Sequence, residues 1–65
     1  MSALDDLQKL RELLVATRRN VAAQGVKNPK DIGQWGIDVE ALQGRIEAVD
    51  KAIEDEKTIA GSSAA

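Results

Sequence analysis

Reactive side chains are scarce in this sequence, and their types set early limits on its chemistry. Cysteine and histidine are both absent. That removes thiolate nucleophiles, disulfides, imidazole general bases and the usual nitrogen and sulfur ligands of zinc. The serines are Ser2, Ser62 and Ser63, all near the ends of the chain. Glu40 and Glu47 stand seven apart on one helical face. A carboxylate does acid–base work only when a closed site raises its pKa, and a helical hairpin offers no such cavity, so the pair reads as a solvated face. The run Glu54-Asp55-Glu56 lacks the glycine-bearing loop of a calcium site. The expectation is no catalytic residue, no metal and no cofactor: a chain that acts by binding and is not an enzyme.

Two features could bind. Residues 18–30 hold Arg18, Arg19, Lys27 and Lys30 with no acid, a net +4, whereas residues 38–57 carry a net −4. If the chain folds back near residue 30, its turn end is basic and the end holding both termini is acidic. In a symmetric oligomer such basic rims could converge on a nucleotide or a nucleic-acid backbone. Helix termination supplies a plainer account of the arginines, because cations favour the negative end of the helix dipole. Trp35, the sole aromatic residue, is either a plug for the turn end or an exposed anchor on which a partner or a base could stack. Its place four residues before Val39 favours the plug.

The element that must position these groups is the stretch from Trp35 to Ile53. Trp35, Val39, Leu42, Ile46, Val49 and Ile53 follow one another at intervals of 4, 3, 4, 3 and 4. That alternation keeps one narrow apolar seam on one side of a helix, which must bury it against another helix. Before it, Leu7, Leu10, Leu14, Thr17 and Val21 predict a first helix with a broader stripe. Leu4, Val15 and Ala22 widen one flank of that stripe, and Leu13 lies on the other. Arg11 and Arg18 fall inside the apolar arc. Antiparallel pairing brings Arg11 level with Asp50 to Glu54 and Arg18 level with Glu47, so ion pairs are expected there.

Local signals set the boundaries. Ser2 is a candidate cap, with Asp5 and Asp6 suited to the first turn. Gly25 is a natural stop. Asn28-Pro29-Lys30-Asp31 predicts a short helical turn over 29–32 with Asn28 as its cap, interrupted by Gly33 and Gly36. Asp38 would then cap the second helix, with Ile37 and Leu42 as a hydrophobic staple. The prediction is all-α: an antiparallel two-helix hairpin over about 3–24 and 38–59, in a module spanning 1–60, with a disordered tail at 61–65. No run of alternating β-branched residues predicts a strand.

A chain of 65 residues with so few large apolar side chains is near the lower limit for an independent core. Self-association into a helical bundle is the expected remedy. The expected oligomer interface comprises Leu7, Leu10, Leu14, Val21, Trp35, Val39, Leu42, Ile46, Val49 and Ile53. The expected anion- or nucleotide-binding set is Arg18, Arg19, Lys27, Lys30 and Trp35. The longest apolar run, Leu13 to Ala16, is far too short to span a membrane. The N-terminus lacks the basic and apolar regions of a signal peptide. The expected location is cytoplasmic, or a host cytoplasm or virion for a phage-borne chain.

Ile32-Gly33-Gln34-Trp35-Gly36 resembles, over five residues, the GxxG clamp of KH domains. Such a domain needs a sheet that this chain lacks, and a turn orienting the second helix is the preferred reading. The overall plan resembles small hairpins that dimerise into four-helix bundles, among them a plasmid-encoded RNA-binding protein. That likeness is at the level of fold and shares no motif. The sequence thus predicts a homo-oligomer, dimer or higher, engaged in protein–protein assembly as a small structural or adaptor subunit, with another protein as partner. The alternative is an oligomeric binder of nucleic acid or a nucleotide through the basic turn end, as a regulator or host-defence inhibitor would be.

Overall fold

The computed structural model describes residues 2–64, with side chains described through Gly61. Helix α1 spans Ala3–Lys27, a 3-10 turn spans Pro29–Asp31, and helix α2 spans Ile32–Ala64. No strand occurs among the described residues. Ser2 caps α1 as expected, its Oγ accepting from the Asp5 N–H at 3.1 Å. The first turn carries Asp5 and Asp6 against the positive end of the helix.

Both inner boundaries differ from those predicted. Gly25 does not stop α1, which continues to Lys27. Pro29 ends the helix instead, because its ring disfavours helical backbone in the residue before it. Asn28 accordingly leaves the helix at φ −127° and ψ 67°. Its backbone N–H and its Nδ2 both donate to the Gln24 carbonyl, at 3.0 and 3.1 Å. Asn28 therefore closes α1, and its side chain does not cap the turn that follows. Helix α2 begins at Ile32, not Asp38. The 3-10 turn feeds straight into it, with the Asp31 N–H donating to the Asn28 carbonyl and the Ile32 N–H to that of Pro29. Gly33 and Gly36 sit inside α2, where no glycine has a positive φ. The Asp38 carboxylate accepts from Gln34 one turn earlier, at 3.1 Å, and so caps nothing. Ile37 is largely exposed and forms no staple. At the far end α2 runs through Ala64, so the segment expected to be a disordered tail is helical from Gly61 to Ala64; Ala65 lies outside the described residues.

Three cross-helix meetings set the register. Arg11 meets Asp50, Arg18 meets Gln43, and Gly25 meets Trp35. Residue n of α1 thus comes level with about residue 61 − n of α2. Ser2 is then level with Ile59, and the last residues of α2 project beyond the hairpin. The hairpin is a single layer, 55 × 18 × 10 Å between Cα extremes.

The seam of α2 is the one predicted from spacing: Leu42, Ile46 and Ile53 are buried, and Trp35, Val39 and Val49 are half-buried. The seam of α1 is rotated from the predicted one. Leu10 and Thr17 are exposed, while Leu7, Leu14, Arg18 and Val21 are half-buried and Gly25 is buried. With Arg11, the inner line of α1 reads 7, 11, 14, 18, 21, 25, the same alternation of 4 and 3 as its partner. Two arginines and a glycine occupy places where leucines would be expected. Arg11 grips Asp50 through Nε and Nη2, and Arg18 Nη1 donates to Gln43 Oε1 at 2.7 Å. The Arg11 bond was anticipated; Arg18 pairs not with Glu47 but with Gln43, about one turn nearer the turn end. These bridges, seven residues apart on each helix, go with a rotation of α1 that leaves Leu10, Leu13 and Thr17 outward.

Gly25 has a separate reason. A Cβ built there would lie 3.0 Å from Trp35 Cβ and 3.1 Å from its Cγ. Glycine lets the indole lie against the helix backbone. Gly25→Val should therefore lower stability by about 1–3 kcal/mol through overpacking. Gly44, with nothing within 4 Å of its Cβ position, is the contrasting site. Gly44→Ala should raise stability by about 0.5–1 kcal/mol. Thermal unfolding of the two variants beside wild type checks both signs at once.

Candidate association surface and basic turn end

Most of the side chains expected at an oligomer interface are used up inside one hairpin. Leu7, Leu14, Val21, Trp35, Val39, Leu42, Ile46, Val49 and Ile53 line or border the α1–α2 seam. Of that set only Leu10 is exposed, at 44%. Beside it, one turn on, Leu13 is 55% exposed. Leu13 was visible in the sequence as lying off the main stripe, but nothing there indicated that α1 would turn both leucines outward. Val26, Ile32, Ile37 and Ile59 are also exposed.

Four of these apolar groups, Leu10 with Leu13 and Val26 with Ile32, divide between two regions. At 100° per residue, Leu10, Leu13 and Thr17 lie on one flank of the α1 seam, and Arg11, Arg18 and Ala22 on the other. On α2 the same division sets Val49 and Ala52 against Gln43 and Asp50. One broad face of the hairpin is therefore crossed by polar bridges along its middle. Toward the open end on α2, Glu47, Asp50, Lys51, Glu54 and Lys57 line an open groove of about 470 Å³. The turn end holds a smaller apolar groove of about 270 Å³ among Ala22, Gly25, Val26, Ile32, Trp35 and Val39. The opposite face presents Leu10 and Leu13 near mid-length, with the half-buried Val49 and Ala52 beside them.

At the turn end Trp35 is half-buried, packed on Gly25, and its Nε1–H donates to the Asn28 carbonyl at 3.1 Å. With its polar handle satisfied and its ring root against backbone, it closes the turn. Arg18 is committed to Gln43. Arg19, Lys27 and Lys30 are exposed, and none is in an ion pair among the described residues. Further along α1, the hydrogen bond that Arg11 donates to the Asp50 carboxylate, and secondarily the charge of that carboxylate, raise the Arg11 guanidinium above its ordinary range. A raised cation pKa contributes below the ordinary arginine range and is lost only above it, so Arg11 stays charged from acid to moderate alkali.

Among the described residues no cluster of acids could hold a metal ion, and no helix is long and apolar enough to cross a membrane. The fold and surface define a helical hairpin with one bridged face and one apolar flank. No protein-family model matches the chain, and no curated protein or solved structure shows significant similarity to it.

Proposed function

We propose that this chain is a self-associating helical subunit that works by protein–protein assembly and not by catalysis. The observation that carries the reading is the surplus of uncovered apolar surface. Among the described residues only Leu42, Ile46 and Ile53 are buried hydrophobic side chains, while Leu10 and Leu13 stand about half exposed. A compact folded chain of this mass would expose roughly 4000 Å²; this hairpin exposes 4913 Å². Its radius of gyration is 15.5 Å, against about 11 Å for a compact domain of this length. The excess of roughly 900 Å², polar and apolar surface together, comes from the elongated shape and is comparable to one partner's share of a standard interface.

The alternative, binding of nucleic acid or a nucleotide at the turn end, draws support from Arg19, Lys27 and Lys30 alone. Trp35, half-buried with its root packed on Gly25, offers that reading only part of its ring. Native mass spectrometry of freshly purified protein separates the two readings, giving the subunit number and any co-purifying ligand together. Assembly predicts a dimer or larger without added ligand. Under the alternative, titration calorimetry should detect binding of short RNA, DNA or cyclic nucleotides, and Arg19→Glu should abolish it while leaving the fold intact. Absence of heat with all three would remove that alternative.

A further inference from the structure

From the distribution of charge and apolar surface we infer that two hairpins pack antiparallel through the Leu10–Leu13 flank, the turn end of each beside the open end of the other. The inference rests on the proposed self-association and adds its surface and its direction. The surface follows from the rotation of α1. The bridges Arg11–Asp50 and Arg18–Gln43 make the middle of one face polar. The middle of the opposite face carries Leu10 and Leu13, 44% and 55% exposed, flanked by Val49 and Ala52. An apolar centre within a polar rim is the build of an association surface.

The direction follows from charge. The turn end carries Arg18, Arg19, Lys27 and Lys30 against Asp31, Asp38 and Glu40 and is weakly basic, whereas the open end, with Asp5, Asp6 and Glu54-Asp55-Glu56, is strongly acidic. Parallel docking sets the two acidic open ends side by side. Antiparallel docking keeps them apart and sets each beside the weakly basic turn end of the other copy. Position along the hairpin agrees. The paired length of α1 runs from about Ser2 to Lys27, so Leu13 lies close to its centre. In a two-fold antiparallel dimer, residues near the centre meet their own counterparts, and Leu10 and Leu13 are there to do so. The occupant of this flank is thus a second copy of the chain. Leu13 covers Leu13 and Leu10 at the dyad.

The absence of cysteine makes the test direct. A single spin label on Lys30→Cys, an exposed site in the turn, should give a distance near 40 Å between turn ends, from the rise of α2 between Ile32 and Ile59. A distance under about 20 Å means parallel docking, since hairpins side by side lie only one or two helix diameters apart, and overturns the inference. Leu13→Glu should weaken self-association at least ~30-fold, the scale of an interface hot spot. Val26→Glu, on the other face, should leave association unchanged. Loss of association in Val26→Glu but not in Leu13→Glu would place the interface on the wrong face. Should Leu13→Glu fail to fold, the label distance and Val26→Glu still decide. An oligomer with the wrong distance sinks the inference alone; a monomeric wild type sinks the proposed assembly as well.

Discussion

Ile46→Ala should destabilise the protein by about 2–5 kcal/mol, the cost of truncating a fully buried branched side chain. Ile46 is only 1% exposed, the one large side chain so completely enclosed among the described residues. It sits midway along the α2 seam, level with Leu14 and Val15, between the layers held by Arg18–Gln43 and Arg11–Asp50. Collapse of neighbours into the gap would need α1 to rotate, and both bridges resist that. Folded proteins carry only about 5–15 kcal/mol of net stability, and a hairpin with three buried hydrophobic side chains among its described residues has little in reserve. Where assembly and folding are coupled, each subunit bears the loss. Thermal unfolding should show the midpoint fall by at least ~8 °C, at about 4–8 °C per kcal/mol for a domain this small. A midpoint within a degree or two of wild type would mean that the Trp35–Ile53 seam is not the core.

Trp35→Ala is the second large effect, about 2–4 kcal/mol, somewhat under the ~3–5 of a fully enclosed tryptophan. Three things go together. The ring leaves the surface of Gly25, the Asn28 carbonyl loses its indole donor, and the turn end of the seam opens toward Val39. Trp35→Phe separates the terms, since it keeps a ring against Gly25 and removes only the N–H. It should cost less than half as much as alanine. Equal losses for Phe and Ala would assign the effect to the hydrogen bond and leave the packing on Gly25 without consequence. Helical circular dichroism with thermal unfolding of both variants gives the comparison.

The α2 seam was legible because spacing alone specifies it: a run of 4 and 3 fits one side of one helix and nothing else. The Ser2 cap and the turn at Pro29 were legible for the same reason, since each depends on residues a few places away. The boundaries at Gly25 and Gly33–Gly36 were not. Glycine tolerates helix at a cost of roughly 1 kcal/mol, and the close approach of Trp35 to Gly25 across the seam is a tertiary fact with no local signature. The rotation of α1 escaped for a related reason. By hydrophobicity Leu10 outranks Arg11 as a seam residue, and only the partners waiting on α2, Asp50 and Gln43, reverse the order. Arg11 opposite Asp50 could be read from register; Arg18 opposite Gln43 could not, because Glu47 offered the more obvious charge. The same reversal moved the candidate association surface. Residues expected between subunits fill the inside of one hairpin, and Leu13, outside the expected interface, is left at the surface beside Leu10.

Self-association is the central claim, and sedimentation equilibrium over a hundredfold dilution from micromolar concentration tests it most directly. A self-associating hairpin should show a mass of at least twice 7.0 kDa at the upper end, falling on dilution together with helical content. A well-folded species of 7.0 kDa at every concentration, with helical content unchanged, would contradict it.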